Sequence, residues 1–228
     1  MYNNYFESKY SEFWKKQSQI YGRQEEDGLD KIIEILKEIH AKTAFEVGIG
    51  TGWPIASDLS DAGTSISGCD VAESLIKTAQ ENYPQMKLYV GDIWQVPFEE
   101  KKYDLVYCMR SSWCMKDFLD VIAKMLEVTN DGGAVVFNIL NSSNSLNRKS
   151  KIKSSFIHFA VRVYGAMKVL IFNRDYIAPC PSYCYNLGMI KGVLNEHNVK
   201  YQIYSTNQLL GEERFMEDSQ KLLFVVRK

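Results

Sequence analysis

The residues best suited to chemistry are gathered in one short run, Glu46-Val-Gly48-Ile-Gly50-Thr-Gly52, which closes an apolar, strand-forming stretch. Glycines in that position let a backbone turn sharply and approach a ligand closely. Glu46 stands where it either organises the loop or receives an ammonium group. The spacing separates the known nucleotide loops. A Gly-x-Gly-x-x-Gly dinucleotide fingerprint begun at Gly48 needs a third glycine at the position held by Trp53. A P-loop needs Gly-Lys-Ser/Thr, which does not follow. Asp70, with Val71 after it, ends the next strand-like run, where a carboxylate accepts hydrogen bonds from both hydroxyls of a ribose. Gly91-Asp92-Ile93 ends a third run. An aspartate there accepts from an adenine amine, while Ile93 and Trp94 offer apolar surface to the ring. These residues describe a site for a nucleoside and leave the rest of its ligand open.

Residues able to move a proton are fewer. Of the histidines His40, His158 and His197, only His158 falls in a segment placed to reach the mouth of such a site. Tyr183 joins it as a candidate, and Asp175 and Tyr176 stand on the same footing. The fourth strand-like run ends in Cys108-Met109-Arg110, where Arg110 either binds an anionic group or pairs with Asp117. Cys180-Pro-Ser-Tyr-Cys184 suggests a metal, but zinc ligands come as two sets and no second set is evident. No metal is expected.

The elements that must position these residues alternate regularly. Residues 30–39 have helical apolar spacing, and Thr43–Ile49 reads as a buried strand. A helix begins after Gly52, with Pro54 suited to its first turn. Strands over 65–70, 86–92, 103–109 and 134–140 follow, with helices over 72–82 and 117–128 and an Asp131-Gly132-Gly133 turn before the last strand. Strands over 200–205 and 221–227 have no full helical pattern between them, which predicts a hairpin-like pair with one antiparallel strand. The expected fold is α/β, a Rossmann-like doubly wound seven-stranded sheet, mostly parallel, with one antiparallel C-terminal strand. Two segments stand outside it. An aromatic N-terminal stretch, about 1–25, places Phe6, Tyr10, Phe13 and Trp14 on one side of a helix and reads as a lid or a packed helix. An insertion over about 141–199 carries a basic run, Arg148 to Lys153, an apolar helical face from Phe156 to Leu170, and a helix from Ser182 to Glu196. Its cap reading is preferred to a membrane-surface reading. The whole of 1–228 is taken as a single domain.

Composition excludes several classes of function. The chain has 228 residues, 46% hydrophobic and 24% charged, with a formal net charge of -1. Nucleic acid is disfavoured, because phosphate contacts want a basic face. No apolar run approaches the ~20 residues of a membrane span. Five cysteines without framework spacing, and a start that is no signal peptide, point to a reducing cytoplasm.

Taken together, Glu46–Gly52, Asp70, Gly91-Asp92, the Tyr103-Asp-Leu-Val strand and the Gly132-Gly133 turn resemble the class I S-adenosylmethionine-dependent methyltransferases. The resemblance is to their small-molecule branch of methyltransferase type 11/25, such as quinone and sugar methylases, and covers roughly residues 30–140 and the last two strands. It implies S-adenosylmethionine as cofactor. Gly48 and Gly50 would then line its methionine part, Asp70 would hold the ribose, Asp92 and Ile93 the adenine, and Cys108 to Arg110 would border the methyl group, with Glu46, Gly52 and Val71 also in the cofactor-binding set. Trp14 and Tyr21 fall where such enzymes place a lid. The chain lacks the Asn/Asp-Pro-Pro-aromatic motif of enzymes that methylate amide or base nitrogens. The implied activity is methyl transfer to an oxygen or nitrogen of a small molecule, a sugar, quinone-like compound or other metabolite. His158, Arg110 and Tyr183 are the catalytic candidates, and a homodimer is admitted. The competing reading is a non-catalytic S-adenosylmethionine-binding regulatory or assembly subunit. An NAD-dependent oxidoreductase is disfavoured by Trp53.

Overall fold

Leu29, Ile32, Ile33 and Leu36 recur at the spacing of one helical face, and all four are buried in the helix α1, Leu29–Glu38. The structure, a computed structural model, describes residues 29–98, 102–144, 183–205 and 219–228. The N-terminal stretch with Trp14 and Tyr21 lies outside the described residues, as do His158, Asp175, Tyr176 and Cys180.

After α1 the chain alternates. It runs through β1 (Thr43–Val47), α2 (Ile55–Asp61), β2 (Ser65–Asp70), α3 (Glu73–Asn82), β3 (Lys87–Val90), β4 (Tyr103–Cys108), a 3-10 turn (Ser112–Cys114), α4 (Phe118–Glu127) and β5 (Thr129–Leu140). Then come α5 (Leu187–Glu196), β6 (Lys200–Ser205) and β7 (Lys221–Arg227). The strands form one seven-stranded sheet in the order β3-β2-β1-β4-β5-β7-β6. β1 to β5 pair in parallel, and β7 runs against both β5 and β6. The expected architecture is therefore the observed one.

β1 and β4 read as near-continuous apolar runs because both sheet faces are covered. On one face Phe45, Val106, Phe137 and Phe224 pack under α4, where Phe118 meets Phe137 edge-on at 5.5 Å. On the other, Ala44, Leu105, Val136 and Val225 pack under α1 and α2. Each large side chain so buried contributes roughly 1.5–3 kcal/mol.

The lower end of the sheet, where the parallel strands begin, is stapled by one carboxylate. Asp104 Oδ2 accepts from the Lys42 and Thr43 amides and from Thr43 Oγ1, and its Oδ1 accepts from Asn130 Nδ2. Desolvation alone would raise its pKa. The hydrogen bonds from Asn130, Thr43 and Lys42 outweigh that and hold it below the ordinary aspartate value.

Two boundaries differ from the sequence reading by more than two residues. β5 begins at Thr129 and contains the Asp131-Gly132-Gly133 turn, because Tyr103 pairs with Thr129 while Leu105 pairs with Ala134. The residues gained on β5 bulge out around Gly132, whose φ is +80°. The last helix begins at Leu187 instead of Ser182. Asn186 caps it through Oδ1, accepting from Gly188 N, while Tyr183 to Tyr185 run along neighbouring backbone. Asn141 and Tyr185 form a parallel bridge, with Tyr185 N donating to Leu140 O and Ser142 N to Tyr185 O. The insertion thus leaves and rejoins the sheet at one place, the upper end of β5.

Candidate active site

In doubly wound sheets, ligands sit beyond the carboxyl ends of the strands where the order reverses, which here is between β1 and β4. The loop after β1 is moored to its neighbour, since both Gly48 N and Ile49 N donate to Cys69 O. Gly48, Gly50 and Gly52 all take positive φ, +78°, +58° and +77°. Their surroundings differ. A Cβ on Gly48 would stand 2.5 Å from Ser111 Oγ, and one on Gly52 would stand 3.1 Å from the Tyr83 ring. A Cβ on Gly50 would meet nothing within 4 Å. Gly50 is therefore the glycine that opens onto free space, whereas Gly48 makes room for a side chain of the protein itself.

Asp70 closes β2 beside this loop. Its Oδ2 accepts from Gly50 N at 2.9 Å and its Oδ1 from Ala72 N at 2.9 Å, so one carboxylate fixes the glycine loop and the start of α3. Val71, half-buried, follows it. Gly91 N donates to Asp70 O, which ties the end of β3 to the same corner. Asp92 forms a reciprocal cap with Gln95: Asp92 Oδ1 accepts from the Trp94 and Gln95 amides, and Asp92 N donates to Gln95 Oε1. That turn drives the Ile93 side chain into the core at 1% exposure. Contrary to the sequence reading, Ile93 offers no side-chain surface, and the exposed apolar ring at this corner is Trp94, 51% exposed.

Glu46 lies beneath the loop at 5% exposure, opposite Tyr107 in the β1–β4 register. Burial pushes its carboxyl well above the usual range; the neighbouring Tyr107 hydroxyl opposes this and the Asp70 charge adds to it. Among the described residues no lysine or arginine forms an ion pair with it.

The segment after β4 forms the other wall. Cys108 and Met109 are buried beneath it, so they underlie the site rather than line it. Burial pushes the Cys108 thiol up to about 12. Arg110 adopts a left-handed backbone, φ +62°, and its N–H donates to Asn138 Oδ1 at 2.8 Å. Ser111 Oγ donates to Val47 O at 3.0 Å and lies 3.2 Å from Cys108 Sγ. Ser112 Oγ donates to Asn138 O. Tyr183 N donates to Trp113 O at 2.8 Å, the Tyr185 hydroxyl donates to Met115 O, and Lys221 Nζ stands 5.5 Å from the Trp113 ring centre.

The structure therefore brings Glu46, Gly48, Gly50, Gly52, Asp70, Val71 and Asp92 to one corner, with Arg110 and Tyr183 on the facing wall. His40, before β1, and His197, before β6, lie at the opposite end of the sheet. Among the described residues no group of three His, Cys, Asp or Glu side chains could hold a metal ion. Tyr107, Ser111 and Asn138 were missed by the sequence reading. Asn138 left a trace: it is the one polar residue in the apolar run Ala134–Leu140.

Part of the chain matches a family of known proteins. The family model described as "Methyltransferase domain" matches residues 45–137, the span from β1 through most of β5. This stretch is similar to a methyltransferase domain. A demethylmenaquinone methyltransferase of Bacillus licheniformis is 29% identical over 136 residues, 58% of this chain and 59% of that protein. A phthiotriol/phenolphthiotriol dimycocerosates methyltransferase of Mycobacterium ulcerans is 30% identical over 113 residues, 48% of this chain and 41% of that protein. The chain thus spans less than two thirds of the length of these curated relatives. The crystal structure of magnesium protoporphyrin IX methyltransferase from Synechocystis with bound SAH superposes with a TM-score of 0.65 at 16% identity, covering 99% of this chain and 97% of that one. A methyltransferase from Streptomyces caelestis gives 0.65 at 13% identity, covering 92% and 95%. At such identities these structures establish the methyltransferase fold, which the seven-stranded order shares.

Proposed function

We propose that the chain binds S-adenosylmethionine at the β1–β2–β3 corner and transfers its methyl group to an oxygen or nitrogen of a small molecule. The observation that carries this is the open space over Gly50, flanked by the Asp70 and Asp92 carboxylates and underlain by buried Glu46. The residues suit the ligand part by part. Asp70, rigidly held by two amides, offers its carboxylate to ribose hydroxyls. Asp92 and the Ile93 main chain stand ready for the adenine edge, with the Trp94 ring beside them. Glu46, buried with its proton favoured, becomes a good partner once an ammonium group stands beside it. When bound, the cofactor supplies a methyl group already activated by its sulfonium. What is left to the protein is alignment and exclusion of water.

The relatives, a demethylmenaquinone methyltransferase and a phthiotriol/phenolphthiotriol dimycocerosates methyltransferase, support a small-molecule acceptor. The buried free thiols of Cys69 and Cys108 fit a reducing cytoplasm. No helix among the described residues is long and apolar enough to cross a membrane.

Calorimetric titration with S-adenosylmethionine, S-adenosylhomocysteine and NAD tests the reading. We expect the two adenosyl ligands to bind in the micromolar range, about −8 kcal/mol, and NAD not to bind. Asp70→Ala should weaken S-adenosylhomocysteine by ten- to a hundredfold, roughly 1.5–3 kcal/mol for hydrogen bonds to a charged group. Unchanged affinity in a folded variant would remove Asp70 from the site, and no adenosyl binding at all would sink the reading. Binding without methyl transfer to any acceptor would favour a regulatory subunit.

A further inference from the structure

We propose that Arg110 is the acceptor-recognition residue of this site, and that the acceptor presents an anionic group, a carboxylate or an ionised phenol or enol. The proposal rests on the methyltransferase reading above.

Three observations carry it. The first is place. Arg110 follows β4 at the point where the strand order reverses, and the next residue, Ser111, packs directly on Gly48. Position 110 is therefore on the wall that faces the cofactor corner.

The second is strain. A φ of +62° is rarely adopted by a long side chain, and glycine would occupy it without steric cost. Elsewhere on this rim the chain uses glycine where φ is positive, at Gly48, Gly50, Gly52 and Gly91. At Arg110 it instead holds the backbone with a buried side-chain amide, Asn138 Oδ1, while Ser112 Oγ donates to the main-chain carbonyl of Asn138. Strained residues at a sheet's ligand-binding end persist where the side chain is needed there. The guanidinium is partly withdrawn from water, with Nε buried, which strengthens its attraction for an anion. Lys221 Nζ over the Trp113 ring adds a second cation to the same wall.

The third is chemistry. Cys108 to Ser112 include no imidazole and no carboxylate, the Cys108 thiol is held protonated by burial, and the described histidines lie at the far end of the sheet. An acceptor that arrives as an anion is already a nucleophile and has no proton to lose. Among the described residues, this stretch after β4 offers a guanidinium and no imidazole or carboxylate, which suits such an acceptor better than a neutral alcohol. In this scheme Asn138 is a positioning residue, acting only through the backbone of Arg110.

Binding, not turnover, tests the idea. Benzoate and benzyl alcohol would be titrated into the S-adenosylhomocysteine complex by ligand-observed NMR, with wild type, Arg110→Gly and Arg110→Gln. Wild type should prefer benzoate. Both variants should lose about tenfold or more of the benzoate affinity, the scale of a charge-assisted pair, with benzyl alcohol unmoved. S-adenosylhomocysteine affinity should stay unchanged. Arg110→Gly should melt at or above the wild-type temperature, since it relieves the left-handed strain while abolishing recognition. Arg110→Gln answers the same question if the glycine variant folds poorly. Absence of a benzoate preference in wild type, or its survival in the variants, overturns the proposal. Failure of wild type to bind S-adenosylhomocysteine would instead overturn the methyltransferase reading.

Discussion

A carboxyl group buried between Tyr107 and the glycine loop keeps its proton well past the range in which an exposed glutamate loses it. Glu46 therefore links folding to pH. Its folded-state pKa is raised above the ordinary value of 4.5, so the stability it contributes is fully present below that value. It is lost as pH rises through the raised one. Glu46→Gln keeps the shape and cannot ionise. In the ligand-free protein we expect this variant to melt above wild type at about pH 8 and to converge with it near pH 5. Parallel melts across that range check it, and a constant offset would show that ionisation of Glu46 is not the cause. An ammonium beside the carboxylate reverses the balance. Ligand binding by wild type should then release protons, visible as a dependence of binding heat on buffer, and Glu46→Gln should abolish that release.

Among the elements, the β1–α2 loop is the most informative, because its glycines look equivalent in sequence and are not. Gly50→Ala places a methyl group in open space, at the cost of a left-handed backbone, roughly 1–2 kcal/mol. Gly48→Ala adds a collision with Ser111 to the same backbone cost. Urea unfolding should rank Gly48→Ala as the less stable variant, and Ser111→Gly should recover part of the difference. Gly50→Ala should stay folded and lose S-adenosylhomocysteine binding; retained binding would mean that the open space is not where the ligand sits. The glycine run, Asp70 and Asp92 were legible because their residue types are rare at strand ends and their spacing follows from strand and turn geometry. The mostly parallel character of the sheet was legible from the regular alternation. Ser111 and Asn138 were not, since their roles depend on which strands become neighbours. Neither was the burial of Ile93, which follows from a cap that only the folded turn completes. The β5 turn was placed outside its strand because a bulge of this kind is visible only in the pairing register.

At the scale of the whole molecule, the parallel bridge between Asn141 and Tyr185 brings both ends of the insertion to one point on the sheet. Residues 145–182 can then be exchanged for a short Gly/Ser linker of about six residues at little entropic cost, because closing a shorter loop is no harder. We expect the shortened protein to keep a cooperative melt and to bind S-adenosylhomocysteine. Loss of that binding, with the melt preserved, would show that the insertion supplies cofactor contacts.

The Asp104 staple sits at one end of the sheet and the glycine loop, Arg110 and the bridge at the other. The end that secures the strands is tied by the hydrogen bonds that Asp104 accepts, while the end that meets the ligand carries the open space over Gly50 and the point where the insertion leaves and rejoins the sheet. Natural variation therefore has two separate territories to work on. A descendant of this chain could acquire a new acceptor by rewriting the upper rim while inheriting the lower one unchanged, so that changes of substrate need not pass through a loss of fold.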